Sequence, residues 1–114
     1  MSGKFAWFDH SSEMSEQAVK FYGELCGWEA RDMAPGMTVV SGENGPWAGF
    51  SKAQKTSAAK GWIPYIQVED AEAALEKARK LGAESLRPVT KGPAGRFAVI
   101  RDPAGGVVAL WQKG

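Results

Sequence analysis

The sequence predicts an α+β fold made of two β-α-β-β-β modules in one chain, and three observations carry that prediction. The chain has 114 residues, room for one compact core and too few for two ordinary domains. Its apolar pattern runs twice through the same series: a strand, a helix, then three short strands. Between the two passes lies a stretch of Ala, Ser, Thr and Lys without periodicity. A unit of half this length cannot cover both faces of its own sheet. Two units side by side are therefore expected to share one curved sheet, with helices outside and the inside left as a cup. The modules are 1–52 and 61–114, joined by a loop over 53–60.

In the first module, Lys4 to His10 is rich in aromatics and reads as a strand that ends at the turn-like pair Ser11 and Ser12. A helix follows. Met14, Ala18, Phe21, Tyr22 and Leu25 recur at the spacing of one buried face, while Glu16, Gln17, Lys20 and Glu24 take the other. Ser12 or Ser15 can cap its start, and Gly27 stands where a left-handed residue ends a helix. Three short runs come next, Trp28 to Met33, Met37 to Ser41 and Trp47 to Ser51. They are separated by Ala34-Pro35-Gly36 and Gly42-Glu43-Asn44-Gly45, and read as a meander.

The second module repeats that order. Trp62 to Val68 is a strand, and Asp70 to Leu81 a helix with Ala71, Ala74, Leu75, Ala78 and Leu81 as its apolar stripe, Asp70 as cap and Gly82 as stop. Then come Ala83 to Pro88, a turn from Lys91 to Gly95, a strand from Arg96 to Arg101, the turn Asp102-Pro103-Ala104-Gly105, and a strand from Gly106 to Gln112. Gly92-Pro93-Ala94-Gly95 lacks the Lys-Ser or Lys-Thr of a phosphate loop and leads into a strand, so it reads as a hairpin turn.

Composition narrows the function. Lys plus Arg number 14 against 13 Asp plus Glu, spread along the chain, so no basic field exists to gather nucleic acid or an anionic membrane. One His and one Cys do not make a zinc cage or an intrachain disulfide. Nothing resembles a signal peptide or a membrane span, which with a single thiol points to the cytoplasm. The five Trp are more than so small a core needs, so some are expected to line a cavity or an interface.

Several stretches together resemble the vicinal oxygen chelate superfamily, which holds glyoxalase I, the bleomycin resistance proteins and the extradiol dioxygenases. They are Trp7-Phe8-Asp9, Ala18 to Tyr22 running into Leu25-Cys26-Gly27-Trp28-Glu29, Tyr65 to Asp70, Lys80 to Ala83, and Asp102 to Trp111. The resemblance covers nearly the whole chain and is nearest to small glyoxalase-like members. It implies an open, barrel-like mixed sheet with the helices outside. In metal-dependent members it also implies a divalent ion on four side chains, and the matching positions here are Trp7, Ile63, Ala109 and either Gly49 or Phe50. None of these side chains ligates a metal. No cofactor is therefore expected, with a divalent metal bound elsewhere left open.

If Trp7 faces the cup, strand alternation sends Asp9 there too and turns Phe8 and His10 toward the helix. The same alternation turns Ile63, Tyr65, Gln67, Val107, Ala109 and Trp111 inward, joined by Trp47, Phe50 and Arg96, with Ile66 and Val68 under the helix. Asp9 is the candidate catalytic group: on an inner wall its pKa rises and suits general base work, whereas at the rim it pairs with Arg or Lys. His10 is expected to be partly buried and hydrogen-bonded to Ser12 or to the helix start. Cys26 is expected to be a small core residue.

The expected function is therefore a metal-independent protein that binds a small molecule, aromatic or partly apolar, on Trp7, Asp9, Phe50, Ile63, Tyr65, Gln67, Ala109 and Trp111. The alternatives are a lyase, isomerase or dioxygenase-like enzyme of the same superfamily, and an interaction protein whose aromatics serve an interface. A homodimer is expected from the resemblance and from the surplus of Trp.

Overall fold

A computed structural model describes residues 3–35, 37–53 and 59–114. Its elements follow the predicted order: β1 (Lys4–Ser12), α1 (Ser15–Cys26), β2 (Ala30–Ala34), β3 (Met37–Gly42), β4 (Gly45–Lys52), β5 (Gly61–Gln67), α2 (Ala71–Lys80), β6 (Glu84–Gly92), β7 (Gly95–Arg101) and β8 (Val107–Lys113). The strands are hydrogen-bonded as one mixed sheet in the order β2-β3-β4-β1-β5-β8-β7-β6, which leaves β2 and β6 as open edges. The β1–β4 and β5–β8 pairs are parallel, while β2–β3, β3–β4, β6–β7 and β7–β8 are antiparallel. Among the described residues, no helix is long and apolar enough to cross a membrane.

The described chain divides into two compact units, Trp7–Ile63 and residues 3–6 with Pro64–Gly114. Strands β1 and β5 each contribute to both.

In the Trp7–Ile63 unit, Val40, Ala48 and Phe50 form the core on the side of the sheet that α1 covers. Ala18, Val19, Tyr22, Trp28, Ala30 and Trp62 pack against them. Helix α1 starts without a side-chain cap; Ser12 Oγ instead accepts the Met14 N–H at 3.0 Å, one step ahead of the helix. It ends as predicted at Gly27, whose φ of 73° is the left-handed conformation that only glycine takes at no steric cost.

Helix α1 lies on the sheet at a different angle of roll from the predicted one. Ala18, Val19 and Tyr22 face the core, but Met14, Phe21 and Leu25 are more than half exposed. Cys26, expected in the core, is exposed as well. The apolar arc of α1 is wider than the strip of helix that the sheet covers.

In the second unit, Leu75, Ala98, Ile100 and Leu110 make the core, flanked by Ile66, Val68, Ala74, Ala78 and Val108. Asp70 caps α2 by accepting the Ala73 N–H at 3.1 Å, as its sequence position predicts. A second cap comes from β8, where Gln112 Oε1 accepts the Ala71 N–H at 2.9 Å. Leu81, assigned to the buried stripe, sits just past the helix end and is exposed. The turn before β8 is built by Asp102, whose Oδ1 accepts from Ala104 N and Gly106 N at 2.8 and 3.0 Å.

Candidate functional site

Strand alternation sorts the predicted residues once the covered faces are known. In the Trp7–Ile63 unit, His10 packs against Tyr22, Phe50 and Trp62 under α1, so Trp7, Asp9 and Ser11 point to the opposite face. The parallel register pairs Asp9 with Gly49 and Ser11 with Ser51. On this face Asp9 is 6 % exposed, the one buried charged residue among those described.

Its carboxylate is not stranded. Ser51 Oγ donates to Asp9 Oδ2 at 2.5 Å, and the Trp7 side chain donates a second hydrogen bond. Burial nevertheless holds the Asp9 carboxyl above its ordinary range; the Ser51 and Trp7 hydrogen bonds and the neighbouring His10 offset that only in part. Gly49 makes the arrangement possible. A Cβ there would stand 2.9 Å from Trp7 Cζ2 and 3.2 Å from Asp9 Oδ1. The absence of a side chain on β4 is what lets the indole and the carboxylate lie against the sheet.

Phe50 requires a correction. It pairs with His10 across β1 and β4, and at 2 % exposure it belongs to the core beneath α1, so it shares no wall with Trp7 and Asp9. A two-residue period fixes which residues go together. It does not fix which set faces the helix, and the register with β1 decides that. Ile63 is buried in this unit and alternates with Trp62, whose Nε1–H donates to Tyr22 Oη at 2.9 Å on the α1 side.

His10 also departs from expectation. Its ring lies 5.1 Å from Trp62, 5.7 Å from Phe50 and 6.0 Å from Tyr22, centroid to centroid, and buried Nδ1 has no hydrogen-bond partner among the described residues. Burial lowers its pKa, with Asp9 and a backbone hydrogen bond opposing. The ring sits in an aromatic cluster, where sequence reading expected a hydrogen bond to Ser12 or to the helix start.

In the second unit, Ile66, Val68, Ala98, Ile100 and Leu110 face α2, so Tyr65, Gln67, Phe97, Ala109 and Trp111 share the other face. The register confirms the grouping: Tyr65 pairs with Ala109, Gln67 with Trp111 and Phe97 with Trp111. The Tyr65 and Phe97 rings lie 5.8 Å apart, and Ala109 is wholly buried beneath them as floor. Trp111 Nε1–H is anchored on the Ala94 carbonyl at 3.2 Å. Sequence reading missed Phe97 and favoured Arg96, which pairs with Gln112 on the opposite face. The cation on the aromatic face is Arg87, its guanidinium 5.0 Å from the Phe97 centroid. The signal for Phe97 was present in its two-residue spacing from Val99, one strand over from Ala109.

A further groove lies beside the start of α1, lined by Ser15, Glu16, Asp32, Met33, Thr38 and Lys52. It opens widely to solvent, its Asp32 already accepts from Thr38 Oγ1, and Asp9 is not among its lining residues, so we do not assign it the chemistry.

At the positions that the resemblance matches to a metal site stand indole at Trp7, alkyl groups at Ile63 and Ala109, and hydrogen at Gly49 or a phenyl ring at Phe50. This donor set does not fit a divalent ion. Among the described residues, no three His, Cys, Asp or Glu side chains converge.

Comparison with known proteins agrees with the fold. The chain is 31% identical over 115 residues to the candidate glyoxylase CFP32 of Mycobacterium tuberculosis, covering 93% of this chain and 44% of that protein. It is 30% identical over 138 residues to the anthracycline biosynthesis protein DnrV of Streptomyces peucetius, covering 98% and 48%. The chain thus spans about half the length of the curated relatives it matches. Among solved structures, a methylmalonyl-CoA epimerase of Streptomyces coelicolor superposes with a TM-score of 0.64 at 14% identity, covering 100% of this chain and 96% of that one. A Bacillus halodurans protein does so with 0.66 at 13%, with the same coverage. At these identities the structures show a shared fold. The glyoxalase-like domain family matches residues 7–111, and with the two β-α-β-β-β modules in place the chain belongs to that family, within the vicinal oxygen chelate fold.

Proposed function

We propose that this protein binds a small planar molecule, aromatic or partly apolar, without the metal site of its superfamily. One observation carries the reading: Tyr65, Phe97 and Trp111 stand on the sheet face turned away from α2, over the buried Ala109, with Arg87 above Phe97. Flat rings stack on such a surface, and Arg87, with no carboxylate partner among the described residues, suits an anionic group on the ligand. Gln67, which pairs with Trp111 on the same face, supplies a polar contact. The relative named for anthracycline biosynthesis is in keeping with a planar aromatic ligand, and sequestration of a toxic compound, as in bleomycin resistance proteins, is one use of such binding. A single unpaired thiol, Cys26, is consistent with the cytoplasm.

Calorimetric titration with 2-naphthoate and with neutral 2-naphthamide tests the reading. Binding is expected in wild type, lost in Trp111→Ala, and weaker for the amide by about tenfold, a preference that Arg87→Ala removes. Equal binding by wild type and the Trp111 variant would sink it. One equivalent of divalent metal retained at a defined protein site after desalting would overturn the metal-free part.

The buried Asp9 favours a second reading, an acid-base enzyme of the glyoxalase-like family, to which the name of CFP32 also points. Undiminished turnover in Asp9→Asn, once an activity is in hand, would remove Asp9 from the mechanism.

A further inference from the structure

Strands β6 and β7 form one hairpin whose two ends differ in charge. At the open end Arg101 stands opposite Glu84, and the two make an ion pair at 2.8 Å. At the turn end Lys91 stands opposite Arg96. Like charges directly opposed across an antiparallel pair destabilise it, and neither cation has a carboxylate partner among the described residues. A negative group from outside the hairpin would relieve that repulsion.

The row continues onto β8, where Gln112 pairs with Arg96. Directly opposed residues share a face, so Lys91, Arg96 and Gln112 stand side by side on three adjacent strands, about 4.8 Å from one to the next. Their face is the one α2 covers, because Gln112 Oε1 accepts the Ala71 N–H at the start of that helix. That bond uses the acceptor end of the amide and leaves its N–H donors without an acceptor among the described residues. The carboxylates at this end of α2 do not neutralise the row. Asp70 accepts from the Ala73 N–H, and Glu69 and Glu72 make no ion pair among the described residues. Lys91 and Arg96 are both exposed, so a solute reaches them.

We propose that Lys91, Arg96 and Gln112 bind a phosphoryl group, either inorganic phosphate or the phosphomonoester end of a small molecule. Charge and donor count select this class. Two fixed cations match a dianion, where a carboxylate brings one charge, and three donor groups in a row match three terminal oxygens. Arg96 stands in the middle, and its planar guanidinium suits a two-pronged grip on a phosphoryl group. The row alternates with Phe97 and Trp111, which face the other way, so the inference does not depend on the ligand reading above.

Titration of the full chain with inorganic phosphate and with glycerol 3-phosphate, at pH 7.5 and constant ionic strength, tests it by proton–nitrogen NMR. The expected result is a saturable shift of the Gln112 side-chain N–H signals, with a dissociation constant of millimolar order. Lys91→Gln and Arg96→Gln each weaken binding about tenfold, while Lys77→Gln, in the last turn of α2, leaves it unchanged. The substituted side chains are exposed, so the variants keep the wild-type circular dichroism. Glycerol 3-phosphate bound as tightly as phosphate identifies a phosphomonoester as the ligand, and binding of phosphate alone identifies the free ion. Shifts no larger than chloride gives at the same ionic strength overturn the proposal, as do shifts that survive both the Lys91 and the Arg96 substitution.

Discussion

Ser51 donates its hydroxyl to the carboxylate of Asp9 at 2.5 Å across the parallel pair of β1 and β4, within the Trp7–Ile63 unit. The two residues are 42 apart in sequence, and no local pattern links them. Their hydrogen bond, with that from Trp7, lets a carboxylate be buried at a face where the strand offers it nothing else.

The raised pKa of Asp9 makes stability depend on pH in a definite direction. The folded carboxyl holds its proton to higher pH than the unfolded one. Its contribution is therefore full below the unfolded value of 3.8 and is lost as pH rises through the folded value. Asp9→Asn is expected to raise the melting temperature at pH 7 by a few degrees and to bring little gain at pH 4, measured by calorimetry across that range. A loss of stability at pH 7 would show that the charge is better compensated than its burial implies.

His10 works in the opposite sense. Its folded pKa lies below the ordinary 6.5, so the stability of the neutral ring is full above that value and is lost as pH falls through the folded pKa. Urea midpoints between pH 7.5 and 5 should fall more steeply for wild type than for His10→Phe, which keeps a ring among Tyr22, Phe50 and Trp62. Repeating the comparison in an Asp9→Asn background separates the two titrations.

Gly49→Ala probes the close approach on β4. The new methyl would lie 2.9 Å from Trp7 Cζ2 and 3.2 Å from the backbone oxygen of Thr38, so the indole must shift. Overpacking of this kind costs about 1–3 kcal/mol. A fall in the urea midpoint, with a change in Trp fluorescence that Trp7→Phe abolishes, is the expected pair of readouts.

Trp62→Phe keeps a ring beside His10 and Phe50 but removes the donor to Tyr22 Oη. The loss should be about 1 kcal/mol, the ordinary net contribution of one hydrogen bond, read by chemical denaturation. The double variant Trp62→Phe/Tyr22→Phe should lose little more than the single one, because the two deletions share that bond.

The sequence by itself determined the succession of elements. Apolar spacing marked the strands and both helices, while Gly27 and Asp70 set a stop and a start, because periodicity and cap chemistry act over a few residues and need no tertiary partner. It also grouped Tyr65 with Gln67 and Ala109 with Trp111, since alternation along a strand is local. Only the tertiary structure decided which face each group meets. The apolar arc of α1 is wider than its contact, so of the residues that spacing assigned to the core Ala18 and Tyr22 pack there, joined by Val19, while Met14, Phe21 and Leu25 stay exposed. Pairing across strands placed Phe50 with His10, brought Ser51 to Asp9 and set Arg87 over Phe97, each through register between segments distant in the chain. A carboxylate's burial, and with it the pKa that makes Asp9 a candidate for chemistry, depends on neighbours that only the folded sheet assembles.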